Sequence, residues 1–200
     1  YSIYIYIMEN YMMNNGMVGD RLSALQRNMA QNIASTLEAA LLNTADTTNG
    51  PLSIFADAAA GSVTAMDAAA AIALETTVLE AGVQLEGARM AYLLDVNSYK
   101  AAKAAVQVTG VSALYDPADK RLNGYYAFVS GNVASSGGAT KDHALFGDFS
   151  KVHVAQFGGL DVLYDPFTNG ATGEPRMIVT SLVDGDAVQN GAAFANLIEA

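Results

Sequence analysis

The sequence predicts an α+β fold, and three regions of the chain support this prediction. One long helical pattern fills residues 20–43, and alanine-rich residues 56–73 continue the helical character. From Ala144 onward, alternating apolar residues and turn signals replace the helical spacing. Because long helices come first and paired strands follow them, the elements fit an α+β architecture.

The helix predicted at residues 20–43 is the longest element of the chain. Asp20 can accept hydrogen bonds from the free N–H groups of the first turn. No Gly or Pro interrupts residues 21–43, so the helix can extend over about 24 residues, or about 35 Å. Such a helix needs a sheet or a neighbouring subunit beside its apolar stripe. The stripe repeats at spacings of three and four and consists of Leu22, Leu25, Met29, Ile33, Leu37 and Leu41.

The amino-terminal residues 1–8 predict a strand with two largely apolar faces. Ile3, Ile5 and Ile7 share one face, and Tyr4 and Tyr6 lie on the other. Both faces therefore need cover. Two interpretations remain open: a central core strand, or a strand covered by another subunit or by sequence outside this chain. A turn at residues 14–16 leads into the long helix.

The alanine-rich region predicts a second helix that packs closely against its neighbours. Residues 56–73 hold ten Ala, which favours helix over strand. Thr64 and Asp67 form a plausible capping pair, and Gly82 ends the helix. Its predicted inner stripe is Met66, Ala70, Leu74, Val78 and Ala81. The following elements are a strand at 88–94, a helix at 98–107 capped by Asn97 or Ser98, a loop at 110–123, a strand at 125–130 and a loop at 135–142.

The last quarter of the chain predicts strands and turns. Strands at 150–157 and 160–164 are joined by a hairpin at Gly158-Gly159. A last long strand at 176–183 is ended by a turn at Asp184-Gly185, and residues 192–198 predict a terminal helical turn.

Composition narrows the functional class. A net charge of −10 and a pI near 4.4 argue against a nucleic-acid-binding protein, because phosphate contacts need clustered Lys and Arg. The absence of Cys excludes disulfides and thiolate metal sites and suits a reducing cytoplasm. The sequence contains no run of eighteen apolar residues and no basic leader, so we predict neither a membrane span nor a signal peptide. Since the chain begins with Tyr1, we expect a processed or partial chain.

The two histidines are the main candidates for catalytic or metal chemistry. His143 and His153 have Asp142 and Asp148 nearby, but no His-Glu-x-x-His spacing is present. A zinc site would need a third ligand from elsewhere. We therefore predict ordinary solvated or strand-surface histidines and assign no catalytic, cofactor-binding or metal-binding residue. An enzyme with an unrecognised site near His143, Asp148 and His153 is kept as an alternative.

Three further signals are weaker. Residues 137–141 resemble a phosphate-binding loop, but Asp142 follows the Lys where Ser or Thr is needed. Asp184 and Asp186 could hold a cation at a subunit edge, although a plain turn also explains them. We predict no serine nucleophile among three candidates, because none of them has a nucleophile-elbow setting: Ser62, Ser130 and Ser136.

Five segments of the chain follow one another in a distinctive order. They are residues 37–43 with 49–52 behind them, 122–125, 144–150, 160–168, and 184–188 with 193–195 behind them. In this order they resemble segments of tailed-bacteriophage major capsid proteins: the end of the spine helix and its loop, the Leu-x-Gly-x and Leu-Phe-Gly-Asp-Phe segments, the strand with an Asp-Pro-aromatic turn, and the carboxyl-terminal ending. The resemblance covers about residues 20–200, and the family has the Hong Kong 97-type fold.

The resemblance implies an architecture. A long spine helix would pack on the antiparallel sheet of a peripheral domain formed by residues 1–56 and 149–181. A mixed axial domain would comprise residues 57–148 and 182–200. The amino-terminal arm and most of the extended loop would lie outside this chain. Because the cross-linking Lys of some relatives lies in that loop, no cross-linking residue is carried over.

The implied function is structural: a subunit of a phage or prophage capsid that self-assembles into hexamers and pentamers of an icosahedral shell. It would assemble in the host cytoplasm, with scaffold, portal or decoration proteins as further candidate partners. No cofactor, membrane or sequence-specific nucleic acid is implied. Acidic charge would make assembly salt-dependent through screening over about 8–10 Å. An encapsulin-type nanocompartment shell protein is the alternative with the same fold.

Overall fold

A computed structural model describes residues 2–8, 18–43, 50–62, 64–83, 89–108, 112–133, 141–165, 167–168, 176–187 and 190–199. The chain divides into two compact units: unit 1 is Tyr1–Glu38 with Val154–Asp184, and unit 2 is Ala39–His153 with Gly185–Ala200. The described elements, in chain order, are β1 (Ser2–Met8), α1 (Val18–Leu41), α2 (Ile54–Asp57), β2 (Ala59–Ser62), α3 (Ala68–Glu80), β3 (Met90–Leu94), α4 (Val96–Ala104), β4 (Val106–Val108), β5 (Ser112–Ala113), β6 (Tyr115–Asp116), β7 (Arg121–Leu122), β8 (Tyr125–Val129), β9 (His143–Asp148), β10 (Val152–Asp165), β11 (Arg176–Ala187), α5 (Asn190–Ala193) and β12 (Phe194–Ile198). The predicted α+β class is confirmed.

Helix α1 runs unbroken over 24 residues, within two residues of both predicted ends. Met29 and Ile33, from the predicted apolar stripe, are buried, and Leu37 is half-buried. Arg27 and Gln31 are exposed, as the helical spacing requires. The side chains of the first two stripe positions lie outside the described residues. The helical period is therefore confirmed over the described part of the helix.

Unit 1 holds a three-stranded sheet in the order β1-β11-β10. β1 pairs antiparallel with β11, with Ile5 opposite Val179. The strand predicted at residues 1–8 is therefore present, but among the described strands it lies at the edge of the sheet, so the interpretation as a central strand is wrong. The turn predicted at residues 14–16 lies outside the described residues.

Two predicted turns are continuous strand instead. β10 passes through Gly158-Gly159, where Gly158 takes a φ of +77° within the strand and makes no hairpin. β11 passes through Asp184-Gly185. Gly185 is buried, its carbonyl oxygen accepts from the Leu52 N–H at 3.1 Å, and a Cβ there would lie 2.9 Å from Leu41 Cδ2. This glycine provides space for close packing and does not reverse the chain.

Unit 2 is organised around a seven-stranded mixed sheet in the order β2-β12-β9-β3-β8-β7-β6. β9 lies near its centre and pairs antiparallel with β12 and with β3. β2 pairs parallel with β12, and β8 pairs parallel with β3. Helix α3 contacts β2, β9 and β12, and α4 contacts β3 and β9. The largest side chains of the resulting core include Met66, Leu74, Tyr92, Leu94, Leu122, Phe146 and Leu197.

The alanine-rich region is only partly helical. Residues 59–62 form strand β2, which contradicts the predicted helix there. A Cβ on Gly61 would lie 2.7 Å from Leu74 Cδ2 and 3.3 Å from the Asn196 carbonyl oxygen. Strand β2 needs small residues because α3 and β12 approach it closely. A strand under this constraint is rich in Ala and Gly, and its Ala content resembles that of a helix. The cap of α3 differs from the predicted pair: Asp67 is the N-cap and accepts from the Ala70 N–H at 2.8 Å, so the helix begins at Ala68 and Thr64 lies ahead of it. The predicted stripe member Ala81 is exposed.

Several shorter predictions need correction. Helix α4 begins at Val96, because Asp95 caps it by accepting from the Ser98 N–H at 2.6 Å. The predicted caps, Asn97 and Ser98, lie inside the helix. The predicted loop at 110–123 contains β5, β6 and β7. Residues 194–198 are strand β12, since they fill the gap between β2 and β9 in the sheet. The loop at 135–142 lies largely outside the described residues. Short elements of this kind are fixed by tertiary pairing more than by local pattern.

Candidate assembly surfaces

His143 and Asp148 do not form a joint site. They lie at opposite ends of β9, five residues apart, so about 16 Å of extended backbone separates them and they point to opposite faces. Asp148 caps the following 3₁₀ turn by accepting from the Ser150 N–H and hydroxyl. His153 is exposed on β10. Of the three residues of the enzyme alternative, His143 and Asp148 therefore cannot act together.

His143 is fully buried, so the prediction of a solvated or strand-surface histidine is wrong for it. Its ring lies 6.1 Å from that of Phe55, and Nδ1 is 3.3 Å from the Lys141 carbonyl oxygen. Nε2 has no hydrogen-bond partner among the described residues. The His143 carbonyl accepts from the Asp95 N–H and the Ser98 hydroxyl. This residue supports the packing of the sheet and offers no access to a substrate.

Asp142 links three segments of unit 2. Its Oδ2 accepts from the Met66 N–H at 2.7 Å, ahead of α3. Its own N–H donates to Glu199 Oε2 at 2.7 Å, and its carbonyl accepts from the Glu199 N–H at 3.1 Å. Burial raises the pKa of the Asp142 carboxyl, and the neighbouring Glu199 and Asp95 carboxylates raise it further, whereas the bond from Met66 lowers it. These bonds make Asp142 a structural tie between the ends of β12 and β9 and the start of α3.

The remaining candidates also gather into no chemical site. Asp184 and Asp186 are exposed along β11, and Asp186 Oδ1 accepts from the Ala187 N–H at 2.6 Å. Over the ranges that the model describes, no group of three His, Asp or Glu side chains is arranged to hold a metal ion. Residues 137–140 of the glycine-rich loop and Ser136 lie outside those ranges. Among the helices described, none is long and apolar enough to cross a membrane.

Strand β10 presents an exposed apolar surface along most of its length. Among the described strands it lies at the edge of the three-stranded sheet, and residues 153–163 are exposed along their whole length. Because successive side chains of a strand point to opposite faces, apolar groups are presented on both sides of this edge. The exposed large apolar side chains of β10 are Val154, Phe157, Leu160, Val162 and Leu163. A long, exposed, apolar edge strand is a surface that normally pairs with or lies under another chain.

A cavity of about 290 Å³ lies against this strand. It is lined by Phe157, Gly158, Gly159, Leu160 and Asp161 of β10, and by Thr180 and Leu182 of β11. A Cβ at either glycine would meet no atom within 4 Å, so the backbone is open to close approach at this point. Sequence reasoning missed this surface because it assigned the two glycines to a hairpin. The signal that could have revealed it is the series of apolar residues on both sides of them.

The comparisons with known proteins are consistent with one another. The Phage capsid family model matches residues 18–197. A capsid structure of a native GTA particle computed with C5 symmetry aligns with a TM-score of 0.70 at 18% identity, covering 100% of this chain and 72% of that chain. A structure from Mycobacterium phage Bobi gives 0.70 at 14% identity, with coverage of 100% and 71%. One from Gordonia phage Cozz gives 0.62 at 17%, with coverage of 100% and 69%. No curated protein sequence matches the chain.

Proposed function

The chain belongs to the phage capsid family, and we propose that its copies associate into hexamers and pentamers that close an icosahedral shell. It is a structural subunit of a phage or prophage capsid with the Hong Kong 97-type fold. The observation that carries the assembly proposal is the exposed apolar edge strand β10, because a monomeric protein rarely leaves such a surface in water. Repeating a modest contact over many copies makes the closed shell cooperative.

We assign the two units to the two domains that the sequence predicts. Unit 1, with most of α1 and the three-stranded sheet, would be the peripheral domain, and unit 2, with the seven-stranded mixed sheet, the axial domain. The boundaries differ: the predicted domains change at residues 56, 149 and 181, and the units change at residues 38, 154 and 184. Supporting the assignment, each unit has its own sheet.

The partners and location beyond the shell itself remain part of the proposal. We place assembly in the host cytoplasm, with scaffold, portal or decoration proteins as further partners. The net charge of −10 keeps free subunits apart at low ionic strength, so added salt should promote assembly by screening this repulsion.

The two alternatives have less support. The family match favours a capsid over an encapsulin-type compartment. The enzyme alternative depended on His143, Asp148 and His153, and β9 separates the first two by about 16 Å. A structural role without catalysis follows from the family, and we propose that the subunit carries no activity of its own.

Electron microscopy of the full-length protein over a range of salt concentrations tests the assembly proposal. We expect closed particles, or rings of five and six subunits, that increase in number with ionic strength. A monodisperse monomer under every salt condition would contradict the proposal.

A matched pair of variants tests the role of β10. Leu163→Arg places a charge on the edge strand, and Leu52→Arg places the same charge on an exposed leucine outside it. We expect the first variant to lose particles and the second to keep them. Equal assembly of both variants would remove β10 from the interface.

A further inference from the structure

One face of the seven-stranded sheet is covered over only part of its width. Phe128, Leu93 and Leu145 lie in one row across β8, β3 and β9, because Leu93 pairs with both of the others. Leu145 is fully buried, Leu93 is half-buried and Phe128 is 61% exposed. Helix α2 lies over this face at β12 and β9: the Phe55 carbonyl accepts from the Asn196 side chain at 2.8 Å, and the Phe55 ring lies 6.1 Å from that of His143. Exposure increases along the row from β9 to β8, so this face of β8 is exposed.

The open part of this face carries aromatic groups and a cation. Tyr126 is 54% exposed and lies on the same face of β8 as Phe128. Arg121 pairs with Tyr126 across the β7–β8 ladder, and its guanidinium lies 4.6 Å from the centre of the Tyr126 ring. We call Arg121, Tyr126 and Phe128 the strand patch. Tyr and Arg are enriched among the residues that carry most of the binding energy at protein interfaces.

The strand patch faces away from helix α3. Ala127, between the two aromatic residues, is buried in the same core cluster as Ala70, Leu74 and Val78 of α3. Since neighbouring residues of a strand point to opposite faces, Tyr126 and Phe128 point to the other side of the sheet.

Helix α3 has an apolar outer face of its own. Ile72 and Leu79 are 53% and 44% exposed, and they lie two turns apart on one side of the helix. Leu74 is two residues, or about 200° of rotation, from Ile72 and is fully buried, so this outer face points away from the sheet. Glu80 is exposed next to Leu79, whereas Glu75 is turned inward and accepts from the Tyr92 hydroxyl at 2.6 Å. We call Ile72, Leu79 and Glu80 the helix patch.

We propose that the strand patch of one subunit binds the helix patch of the next, head to tail around a ring. This inference rests on the proposed function and names the surfaces that join the subunits within a capsomer. The two patches lie on opposite sides of unit 2, so one subunit cannot bring them together, and a contact between unlike patches generates rings when its rotation closes. A two-fold contact between like patches would make dimers instead.

Charge complementarity identifies the occupant as a second copy. Helix α3 has no Lys or Arg, and Glu75 is turned inward, so the outward charge of the helix is that of Glu80. The guanidinium of Arg121 is held over an aromatic ring and beside the Gly124 carbonyl, to which it donates at 2.9 Å. The same hairpin carries Asp116, Asp119 and Lys120, so together with Arg121 it has no net charge. Arg121 is the partner of Glu80 because of its position on the strand patch.

Cross-linking tests this arrangement without background, because the chain contains no Cys. Full-length protein carrying both Leu79→Cys and Phe128→Cys, treated with a short bismaleimide, should give a ladder of covalent oligomers that ends at five and six subunits. Each single variant should stay largely monomeric. The control pair Val96→Cys with Phe128→Cys, in which Val96 is 60% exposed and outside both patches, should give no ladder.

Two outcomes would overturn the inference, and they differ from failure of the proposed function. Particles that form normally while the double variant gives no ladder would remove these surfaces from the contact. Covalent dimers from either single variant, with no ladder from the double variant, would show a two-fold contact instead. Absence of any oligomer from the unmodified protein would contradict the proposed function itself.

Charge reversal gives a second, independent readout. Glu80→Arg and Arg121→Glu should each raise the concentration needed for half-assembly about three- to tenfold, because each places like charges opposite one another. The double reversal should recover most of that loss. If the double variant needs as high a concentration for half-assembly as the single variant that assembles less well, the pairing of these two side chains is overturned.

Discussion

Strands β9 and β10 follow one another in the chain with only a single 3₁₀ turn between them, yet their environments are opposite. All six residues of β9 are buried. In β10, residues 153–163 are exposed. Both strands contain Phe, Leu and Gly, so composition does not distinguish them. The difference lies in position: β9 has a paired strand on each side, whereas β10 is paired on one side only among the strands that the structure describes.

The comparison separates two uses of apolar residues in one subunit. In β9 they stabilise the fold of unit 2, and their removal should cost free energy of unfolding. In β10 they contribute little to the isolated subunit, and we propose that their removal should cost assembly instead. Substitutions that affect stability and assembly unequally can therefore test this division.

The largest expected effect on stability comes from the buried strand. Phe146 is fully buried, with its ring centre 4.5 Å from that of Tyr92 and 5.2 Å from that of Tyr125. Phe146→Ala should lower the free energy of unfolding by about 3–5 kcal/mol, because it removes these contacts and leaves a cavity. Urea denaturation of the dissociated subunit, followed by circular dichroism, measures the change. Phe128→Ala, at an exposed side chain of β8, is the matched control and should cost less than about 0.5 kcal/mol.

A smaller loss is expected at the cap of α4. Asp95 is buried and accepts from the Ser98 N–H at 2.6 Å, so Asp95→Ala should lower the free energy of unfolding by about 1–2 kcal/mol. Asp116→Ala removes a comparable bond, to the Ala118 N–H at 2.8 Å, from an exposed turn. Equal losses from both substitutions would contradict the view that burial near β9 makes the cap important.

The buried Asp142 predicts a pH dependence with a definite sign. Its pKa is raised in the folded state, so between the unfolded and folded pKa values the native protein binds more protons than the unfolded chain. Stability contributed by this group therefore falls as the pH rises through that window, and the deficit remains at neutral pH. Asp142→Asn keeps an oxygen that can accept from the Met66 N–H and removes the ionisation. The stability of the variant relative to the natural protein should therefore be greater at pH 7 than at pH 4 in urea denaturation. An unchanged difference across that range would show that Asp142 does not titrate with a raised pKa.

The sequence predicted the elements that depend on local pattern. The period of α1 was readable because the helix is long and its apolar stripe is unbroken, whereas the predicted Thr64–Asp67 capping pair places the start of α3 three residues too early. Two glycine positions were misread as turns. Gly158 lies within strand β10 and Gly185 allows close packing, yet each resembles a turn signal when only neighbours in the chain are considered. Sheet order and the burial of His143 depend on residues far apart in the chain, which periodicity does not reveal.

The smallest expected effect on stability, and the sharpest test of the comparison, comes from β10. Phe157 is 61% exposed and lines the cavity against β11. Phe157→Ser should change the free energy of unfolding of the dissociated subunit by less than about 0.5 kcal/mol, since it removes little buried surface. The same variant should form far fewer particles, as counted by electron microscopy and sedimentation. Phe167→Ser, at a phenylalanine that is 86% exposed and outside the strand, controls for the loss of a surface aromatic. If Phe157→Ser instead destabilises the dissociated subunit as much as Phe146→Ala does, β10 belongs to the core of its own unit and the division between the two strands does not hold.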